Sequence, residues 1–425
     1  MLRSIKFASS NSQAISRGLL SRGMSFWANV QMGPADPIIG VNEAFKKDPA
    51  EKKYLLGVGA YRDDNGKPYV LSCVRKAEQK LLSENVDKEY LPITGLESFN
   101  NAAVKFAYGE NSKPLAENRI AVAQSLSGTG SLRVGAAFLQ RFLPKGTKVY
   151  VPKPTWGNHI TIFKDAGMEV CEYRYFDPRT NGLDIAGLLE DLKAAPDGSV
   201  ILLHGCAHNP TGVDPSKEQW NEILNLSIKK NFLPFLDVAY QGFASGNPVE
   251  DAYSLRLFAE SGLQMMLAQS FAKNLGLYGE RTGAISVICS SPEEKARVLS
   301  QLKIVIRSMY SSPPLNGARI ADKVMNDPEL LSLWYSELKA MSGRIIDMRK
   351  SLRDHLENDF NSKLKWNHIT DQIGMFCFTG LKPEQVDRIR SEYHIYMTRN
   401  GRISVAGLNT KNVKYVAEAF HAVTK

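Results

Sequence analysis

Residues 265–289, MMLAQSFAKNLGLYGERTGAISVIC, contain two short apolar runs on either side of a polar turn. The runs predict strands at Met265–Gln269 and Ala284–Cys289, and similar runs predict strands at Lys148–Val151, Val200–His204 and Leu233–Asp237. Most of the stretches between them are long enough for a crossover helix, which is typical of an α/β domain with a mostly parallel central sheet flanked by helices. In such sheets a ligand binds where strands end and loops begin.

A second, smaller α+β domain is predicted downstream of this sheet. Apolar residues recur at intervals of three and four from Leu331 to Leu356, which predicts one long amphipathic helix. About 26 residues at 1.5 Å each span roughly 39 Å, enough to join two domains. A coiled coil is the alternative, but the charge pattern that supports one is weak. Strand-like runs at Gly374–Phe378 and Ile403–Val405 and a final helix follow.

Composition excludes several classes of protein. The chain has 425 residues, 43% of them apolar and 23% charged, which fits a globular protein of two or three domains at roughly 150 residues per domain. No apolar run approaches the roughly 18 residues of a transmembrane helix, and no basic run interleaved with aromatics suggests a nucleic-acid partner. The five cysteines are widely spaced, so no CxxC metal motif exists, and buried reduced thiols are expected.

The N-terminus predicts a targeting segment. Residues 1–24 are rich in Ser and Arg, and the first acidic residue of the chain is Asp36. Polar residues interrupt every apolar run, unlike a secretory signal, so the segment is typical of a mitochondrial transit peptide and predicts the mitochondrial matrix. Arg22 precedes Ser25 by three residues, which places the predicted mature start near Ser25. A disordered basic tail is the alternative.

Two strand ends carry candidate catalytic groups. Lys273 follows the strand that ends at Gln269, and burial there would lower the pKa of its amine and suit it to Schiff-base chemistry. Asp237 ends another apolar strand, where a carboxylate is costly unless it meets a cation such as a protonated pyridine nitrogen. Tyr240, three residues later, would reach the same ligand. If each residue is considered alone, the alternative interpretations are that Lys273 is an ordinary surface lysine and that Asp237 caps the following turn.

Three loops complete the pattern. The turn HNPTG at 208–212 would hold the Asn209 amide at the mouth of the sheet. The segment SGTG at 127–130 precedes an amphipathic helix, so its N–H groups and hydroxyls suit an anion. Because GxGxxG is absent, a dinucleotide fold is not indicated. Arg281 in GERTG would bring a guanidinium to the same phosphate. Each loop alone is also explained as an ordinary turn.

Taken together, these motifs resemble a known family. The order of Asn209, Asp237, Lys273 and Arg281 is similar to that in class I aminotransferases, which are fold-type-I enzymes using pyridoxal 5′-phosphate (PLP). Within that family the chain is most similar to the mitochondrial, aspartate-specific members. The resemblance covers residues 25–425 and rests on these motifs: GVGAYRDDNGKP, EYLPITGL, PTWGNH, HNPTG, FLDVAYQGF, SFAKNLGLYGERTG, SSPPLNGARI, QIGMFCFTGL and GRISVAGL.

The resemblance implies how PLP is bound. Lys273 would form the Schiff base and later move the proton, and Asp237 would pair with the ring nitrogen, with His159 supporting Asp237 from behind. Tyr240 and Asn209 would bind the ring oxygen, and Trp156 would stack on the ring. The implied phosphate ligands are Ser127, Gly128, Thr129, Ser270, Arg281 and, from the neighbouring subunit of a homodimer, Tyr90.

The resemblance also implies the substrate. Arg402 would clamp the α-carboxylate, with Gly59, Trp156 and Asn209 completing that site, and Arg307 of the partner subunit would meet the distal carboxylate. Two guanidinium groups select dicarboxylic amino acids and 2-oxo acids, because a neutral side chain would leave the second arginine unpaired. Without the family context, Arg307 reads as a surface arginine.

The sequence therefore predicts a PLP-dependent, ping-pong transaminase that converts L-aspartate and 2-oxoglutarate to oxaloacetate and L-glutamate. A related class I aminotransferase acting on aromatic amino acids or kynurenine is one alternative, and a catalytically inactive dimeric protein is another. The predicted organisation is a transit peptide at 1–24, an N-terminal arm and part of the small domain at 25–68, a large PLP-binding domain at 69–340 and the small domain at 341–425. No metal, nucleic acid or membrane is expected.

Overall fold

The computed structural model describes residues 26–33 and 37–425, and the predicted transit peptide at residues 1–24 lies outside them. Seven strands form the central sheet: β1 Ile120–Leu126, β2 Lys148–Lys153, β3 Glu169–Arg174, β4 Val200–His204, β5 Leu233–Val238, β6 Met265–Ser270 and β7 Thr282–Ile288. Their order across the sheet is β1-β7-β6-β5-β4-β2-β3. Only β7 runs antiparallel to its neighbours, β1 and β6, and the remaining pairs are parallel. The predicted α/β class is confirmed.

The sequence missed the two outer strands, β1 and β3. Strand β1 contains Gln124 and Ser125, polar residues that break the apolar run but are buried with partners: the Gln124 side chain accepts from the Leu96 N–H and donates to the Pro314 carbonyl. Strand β3 has three exposed charged residues, Glu169, Glu172 and Arg174, because it forms an edge of the sheet. In both strands tertiary contacts override the weak local pattern.

Helices cover both faces of the sheet. Alternate residues of β5 point to opposite sides, so Phe235 packs with the helix α1, Ser127–Phe142, while Leu236 packs with Trp220 and Phe258 on the other face. No helix in the described ranges is long and apolar enough to span a membrane. The other helices before residue 316 are Pro37–Lys47, Ser72–Ser83, Glu97–Tyr108, Lys113–Ala116, Gly157–Asp165, Ile185–Ala194, Lys217–Lys229, Pro248–Asp251, Tyr253–Glu260 and α2, Pro292–Met309.

The predicted long helix is α3, Pro328–Asp354, which a single π-turn extends over His355–Asp359. Asp327 caps it by accepting the N–H groups of Glu329 and Leu330, and Pro328 occupies the first helical position, where no N–H is needed. Its apolar face packs into a cluster that also contains residues of the C-terminal region. The remaining helices are Asn316–Asn326, His368–Asp371, Pro383–Tyr393 and Val413–Thr424.

The C-terminal region pairs with the beginning of the described chain. Strand Tyr54–Leu55 runs parallel to Ile395–Tyr396, and Phe376–Phe378 runs antiparallel to Arg402–Ser404. A further small pair joins Phe176–Asp177 to Gly182–Leu183. A segment that precedes the central sheet in sequence therefore pairs with a segment that follows α3. The domain boundaries at residues 68 and 340 stay a prediction.

Four of the five cysteines are buried, as expected, but Cys171 is only half-buried. It lies on the edge strand β3, and an edge strand is covered less completely than the strands inside the sheet. All five thiols are free.

Gly283 on β7 packs closely against the backbone of β6 and of the first residue of α1. A Cβ at this position would lie 2.4 Å from the Gln269 carbonyl oxygen and 2.7 Å from backbone carbons of Ser127. Backbone atoms cannot rotate away, so we expect Gly283→Ala to lower the free energy of unfolding by about 1–3 kcal/mol. The measurement is the urea unfolding midpoint.

Gly343→Ala is the matched control for this substitution. Gly343 lies inside α3 and its added Cβ would meet nothing within 4 Å. Alanine favours a helix by up to about 1 kcal/mol over glycine, so this variant should be as stable as the wild type or more stable. If Gly283→Ala unfolds at the same urea concentration as the wild type, the close packing around Gly283 is contradicted.

Candidate active site

One edge of the sheet gathers the ends of several strands. Strands β4, β5 and β6 are parallel and end there, and the antiparallel β7 begins there, since Gly283 pairs with Ser270. Strand β1 is antiparallel to β7 and ends at the same edge, because Leu126 pairs with Thr282. The loops after β1, β4, β5 and β6 therefore meet, although they are far apart in sequence.

A cavity of about 480 Å³ lies at this edge, between the sheet and the C-terminal region. All but two of the predicted site residues line it: Gly59, Ser127, Gly128, Thr129, Trp156, Asn209, Asp237, Tyr240, Ser270, Lys273, Arg281 and Arg402.

Lys273 lies in the loop between β6 and β7. Its amine has no acidic side chain at ion-pair distance among the described residues, and it lies 5.0 Å from the centroid of the Tyr278 ring. The pKa of the Lys273 amine is lowered to about 8, mainly by burial and also by the positive charges of Arg281 and Arg402, while the negative charge of Asp237 opposes the shift. An appreciable fraction of this amine is therefore neutral and nucleophilic near neutral pH.

Asp237 is held by only one of its two carboxylate oxygens. Oδ2 lies 2.9 Å from Nε2 of His159, whereas Oδ1 is buried and has no hydrogen-bond partner in the described part of the chain. A carboxylate only accepts hydrogen bonds, so Nε2 of His159 carries the proton and donates. The free oxygen is an acceptor that suits a cationic N–H group in the cavity.

A chain of hydrogen bonds continues behind Asp237. Since His159 donates from Nε2, its Nδ1 accepts from the Thr155 hydroxyl at 2.8 Å. The Thr155 oxygen in turn lies 3.1 Å from Nε2 of His204, whose Nδ1 accepts the Asn209 N–H. Burial holds the pKa of His204 well below its usual range, which keeps that ring neutral. Each hydrogen bond in this series is therefore donated in the direction of Asp237, and the series stabilises the negative charge of that carboxylate.

The start of α1 forms a polar cradle at one end of the cavity. Ser127 has a φ of +61°, an unusual conformation for a residue with a side chain, and its hydroxyl lies 2.8 Å from that of Ser270. A Cβ on Gly128 would approach the Ser270 Cβ to 3.3 Å. Arg281 donates to the Tyr278 carbonyl at 3.1 Å and has no acidic partner in the described ranges. Free N–H groups, hydroxyls and this guanidinium suit a phosphate.

Arg402 approaches the cavity from the C-terminal region. Its side chain is buried, and it donates to the Gly57 carbonyl at 2.8 Å and to Oδ1 of Asn209 at 3.3 Å. Its Nε has no partner among the described residues. Burial lowers the pKa of the guanidinium, although Tyr240 opposes this. The group remains charged, because the ordinary pKa of arginine exceeds 12, and it suits a carboxylate.

Two aromatic side chains complete the walls. Tyr240 is buried, and burial raises the pKa of its hydroxyl well above the ordinary value, so the group stays protonated and can donate. Trp156 meets the edge of His159 with ring centroids 5.2 Å apart.

Tyr90 and Arg307 do not line the cavity within one chain. Tyr90 is 91% exposed. Arg307 lies in the last turn of α2, where it is exposed and donates to the Ser311 hydroxyl at 2.6 Å.

Sequence reasoning missed several residues that touch or support the cavity. Phe376 and Tyr278 line it, as does His204, and Thr155 bridges two histidines. His204 ends a correctly predicted strand, so its position at the sheet edge was a usable signal. Phe376 and Tyr278 stand inside motifs quoted above, but nothing local distinguishes a cavity-lining aromatic ring from a core one.

Comparison with known proteins identifies the relatives of this chain. The profile of the family described as "Aminotransferase class I and II" matches residues 51–420. Mitochondrial aspartate aminotransferase of Gallus gallus is 58% identical over 405 residues, covering 95% of this chain and 96% of the relative.

Two solved structures share the fold. A mitochondrial aspartate aminotransferase from Trypanosoma brucei superposes with a TM-score of 0.88 at 47% identity, covering 91% of this chain and 100% of the other. An aromatic-amino-acid aminotransferase from Burkholderia pseudomallei, covalently bound to pyridoxal phosphate, superposes with a TM-score of 0.92 at 43% identity, covering 95% and 100%.

The environment of Lys273 predicts an unusual titration. In cofactor-free protein, acylation of Lys273 should reach half its maximal rate near pH 8, about two units below an exposed lysine. Arg281→Met should raise this midpoint, because removing a nearby positive charge favours the ammonium form. Mass spectrometry of the acylated peptides across pH gives both values, with exposed lysines in the same digest as references. A midpoint near 10 would contradict the buried environment.

Proposed function

Since the chain belongs to the class I and II aminotransferases, we propose that this cavity transfers the amino group of L-aspartate to 2-oxoglutarate, giving oxaloacetate and L-glutamate, with PLP as cofactor. The observation that carries the proposal is the meeting of the Lys273 amine and the buried Arg402 guanidinium in one cavity. The first is a nucleophile and base, and the second is a site for the carboxylate that every amino acid has.

The residues fit PLP at each of its functional groups. The free Oδ1 of Asp237 suits the protonated ring nitrogen, and the cradle of Ser127, Gly128, Thr129, Ser270 and Arg281 suits the phosphate. Asn209 and Tyr240 would bind the ring oxygen, and Trp156 would cover the ring face. When bound, PLP supplies an aldehyde that condenses with amines and a ring that withdraws electrons from the substrate Cα.

The side chains of this protein then have distinct tasks. The lowered pKa of Lys273 lets its amine act as a base toward the substrate Cα proton and return that proton as an acid. Asp237 keeps the proton on the ring nitrogen, and the hydrogen-bonded chain from His159 to His204 maintains the negative charge that this requires. One cavity serves both half-reactions, so the first product leaves before the second substrate binds, which gives ping-pong kinetics.

Substrate recognition requires two arginines on opposite ends of a dicarboxylate. Arg402 would bind the α-carboxylate, assisted by Asn209 and Trp156. The backbone at Gly59 would also contact the substrate, because the missing side chain lets it lie close to the cavity. Arg307 would bind the distal carboxylate. Each guanidinium would form a charge-assisted, bidentate pair, and a neutral side chain would leave Arg307 unpaired.

Arg307 would reach the substrate from the second subunit of a homodimer. Its exposure on α2 supports this arrangement, as does the exposure of Ile304 and Met309 on the same helix, at 53% and 37% of their surfaces. A partner subunit that covers this end of α2 would bury both apolar side chains together with Arg307. Tyr90 would enter the partner's phosphate site in the same way.

The protein is mitochondrial, like the relatives that bear that name, and the matrix is the proposed compartment. The acid-poor segment before residue 25 supports this proposal. Import into isolated mitochondria should leave a protease-protected chain that begins near Ser25 by N-terminal sequencing. A chain that retains Met1, or that remains accessible after rupture of the outer membrane, would contradict matrix import.

An amino-donor panel on two variants tests substrate recognition. Arg307→Ala should lower kcat/KM for aspartate and glutamate by roughly 10²–10⁴, the loss expected for a desolvated bidentate charge pair. Phenylalanine, which never uses that arginine, should change far less. Arg402→Ala should damage both classes, because every amino acid has an α-carboxylate. Arg297→Ala, on an exposed face of the same helix, controls for the general loss of positive charge. Equal losses for aspartate and phenylalanine in Arg307→Ala would contradict the assignment.

Hybrid dimers test the contribution of the second subunit. Lys273→Ala removes the nucleophile and should be inactive, and Arg307→Ala should be nearly so with aspartate. A dimer containing one subunit of each kind has one site with both groups intact, so mixing under exchange conditions should restore part of the activity. If subunits exchange and no activity returns, Arg307 does not act across the dimer.

A further inference from the structure

Arg402 is a buried cation without an acidic partner. Its side chain is 4% exposed, and no Asp or Glu lies within ion-pair distance of it in residues 26–33 and 37–425. Its two hydrogen-bond acceptors, the Gly57 carbonyl and Oδ1 of Asn209, are both neutral. A buried charge with only neutral partners is costly, so a further stabilising contact is expected.

The ring of Phe376 provides that contact. The central guanidinium carbon of Arg402 lies 4.4 Å from the centroid of the ring, well inside the roughly 6 Å over which an aromatic face attracts a cation. Both residues line the cavity. The two strands that carry them pair with each other, Phe376–Phe378 against Arg402–Ser404, so the contact is fixed by the sheet register.

The ring itself is held on two further sides. Tyr240 meets it nearly perpendicularly, with centroids 5.9 Å apart. Gly59 approaches so closely that a Cβ there would lie 2.8 Å from Cζ of Phe376. Phe376 therefore cannot turn away from Arg402 without displacing the wall of the cavity.

We propose that Phe376 is a positioning residue that substitutes for a counter-ion, keeping Arg402 buried, charged and oriented until a substrate carboxylate arrives. This inference rests on the proposed role of Arg402. An acidic side chain in the same place would neutralise the guanidinium but would compete with the substrate for its N–H groups. An aromatic face stabilises the cation from one side and uses none of its N–H donors, and Nε of Arg402 indeed has no partner among the described residues.

A series of fluorinated phenylalanines at position 376 tests the proposal in the PLP-loaded enzyme. Added fluorines weaken the negative face of the ring and nearly preserve its shape. The Tm without ligand should fall stepwise, by about 1–3 °C over the series, because the cation loses stabilisation. With saturating succinate, an unreactive dicarboxylate, the fall should be smaller because the bound carboxylate neutralises the guanidinium. By linkage, the Kd of succinate measured by calorimetry should therefore decrease across the series.

Two controls separate this charge effect from packing. In an Arg402→Met background the dependence of Tm on fluorine content should disappear, since the cation is absent. The same series at Phe378, which packs edge-on against Phe176 at 5.1 Å, should show no difference between free and succinate-bound protein. A Tm that is flat at position 376, or that falls equally in the Arg402→Met background, would overturn the inference.

Phe376→Leu tests orientation. Without the ring face the guanidinium plane is free to turn, so KM for aspartate should rise about tenfold while kcat changes less than about threefold. An unchanged KM would overturn the positioning role. Failure of the proposed function is recognised separately, because the wild-type enzyme would then neither bind succinate nor transaminate aspartate.

Discussion

Four charged side chains, those of Asp237, Lys273, Arg281 and Arg402, line one cavity without permanent ion-pair partners that satisfy them. Asp237 keeps one buried oxygen free, Lys273 has no acidic side chain at ion-pair distance in the described ranges, and Arg402 contacts only neutral groups. Buried charges in this condition cost several kcal/mol, so the rest of the fold must offset them. The same condition gives the cavity its chemistry, because each unsatisfied group is available to a cofactor or substrate.

The surrounding core holds these groups in place. Trp334 of α3 donates its indole N–H to the Asn274 carbonyl, one residue after Lys273, and its ring stacks on Phe106 with centroids 4.8 Å apart. The side-chain amide of Asn274 donates a hydrogen bond to the carbonyl oxygen of Gln241, the residue after Tyr240. The loop that carries Lys273 is therefore attached to the long helix and to the end of β5. Rigid attachment of this kind keeps a reactive amine within reach of a ligand.

Much of this arrangement could be predicted from the sequence. Each inner strand of the sheet left a mostly apolar run, because helices cover both faces of the sheet. The three-to-four spacing of α3 was equally clear. Lys273, Asp237 and Asn209 were identified because a polar side chain at the end of a buried strand is conspicuous. The edge strand β3 escaped prediction because its exposed Glu169, Glu172 and Arg174 leave no continuous apolar run. Strand β1 escaped because its buried Gln124 is satisfied only by partners far away in sequence.

The sequence by itself determined the α/β class, the long helix and the set of residue types that PLP chemistry needs, since all of these follow from local periodicity and short motifs. Only the tertiary structure decided that β7 is antiparallel, so that β7 begins at the edge where β6 ends and the loop between them keeps Lys273 and Arg281 beside Asp237. It alone placed Phe376 against Arg402, because that contact depends on the register between two strands more than twenty residues apart. The local sequence pattern determines which face of a helix or strand is buried. The pairing of elements distant in sequence determines which buried side chains contact each other.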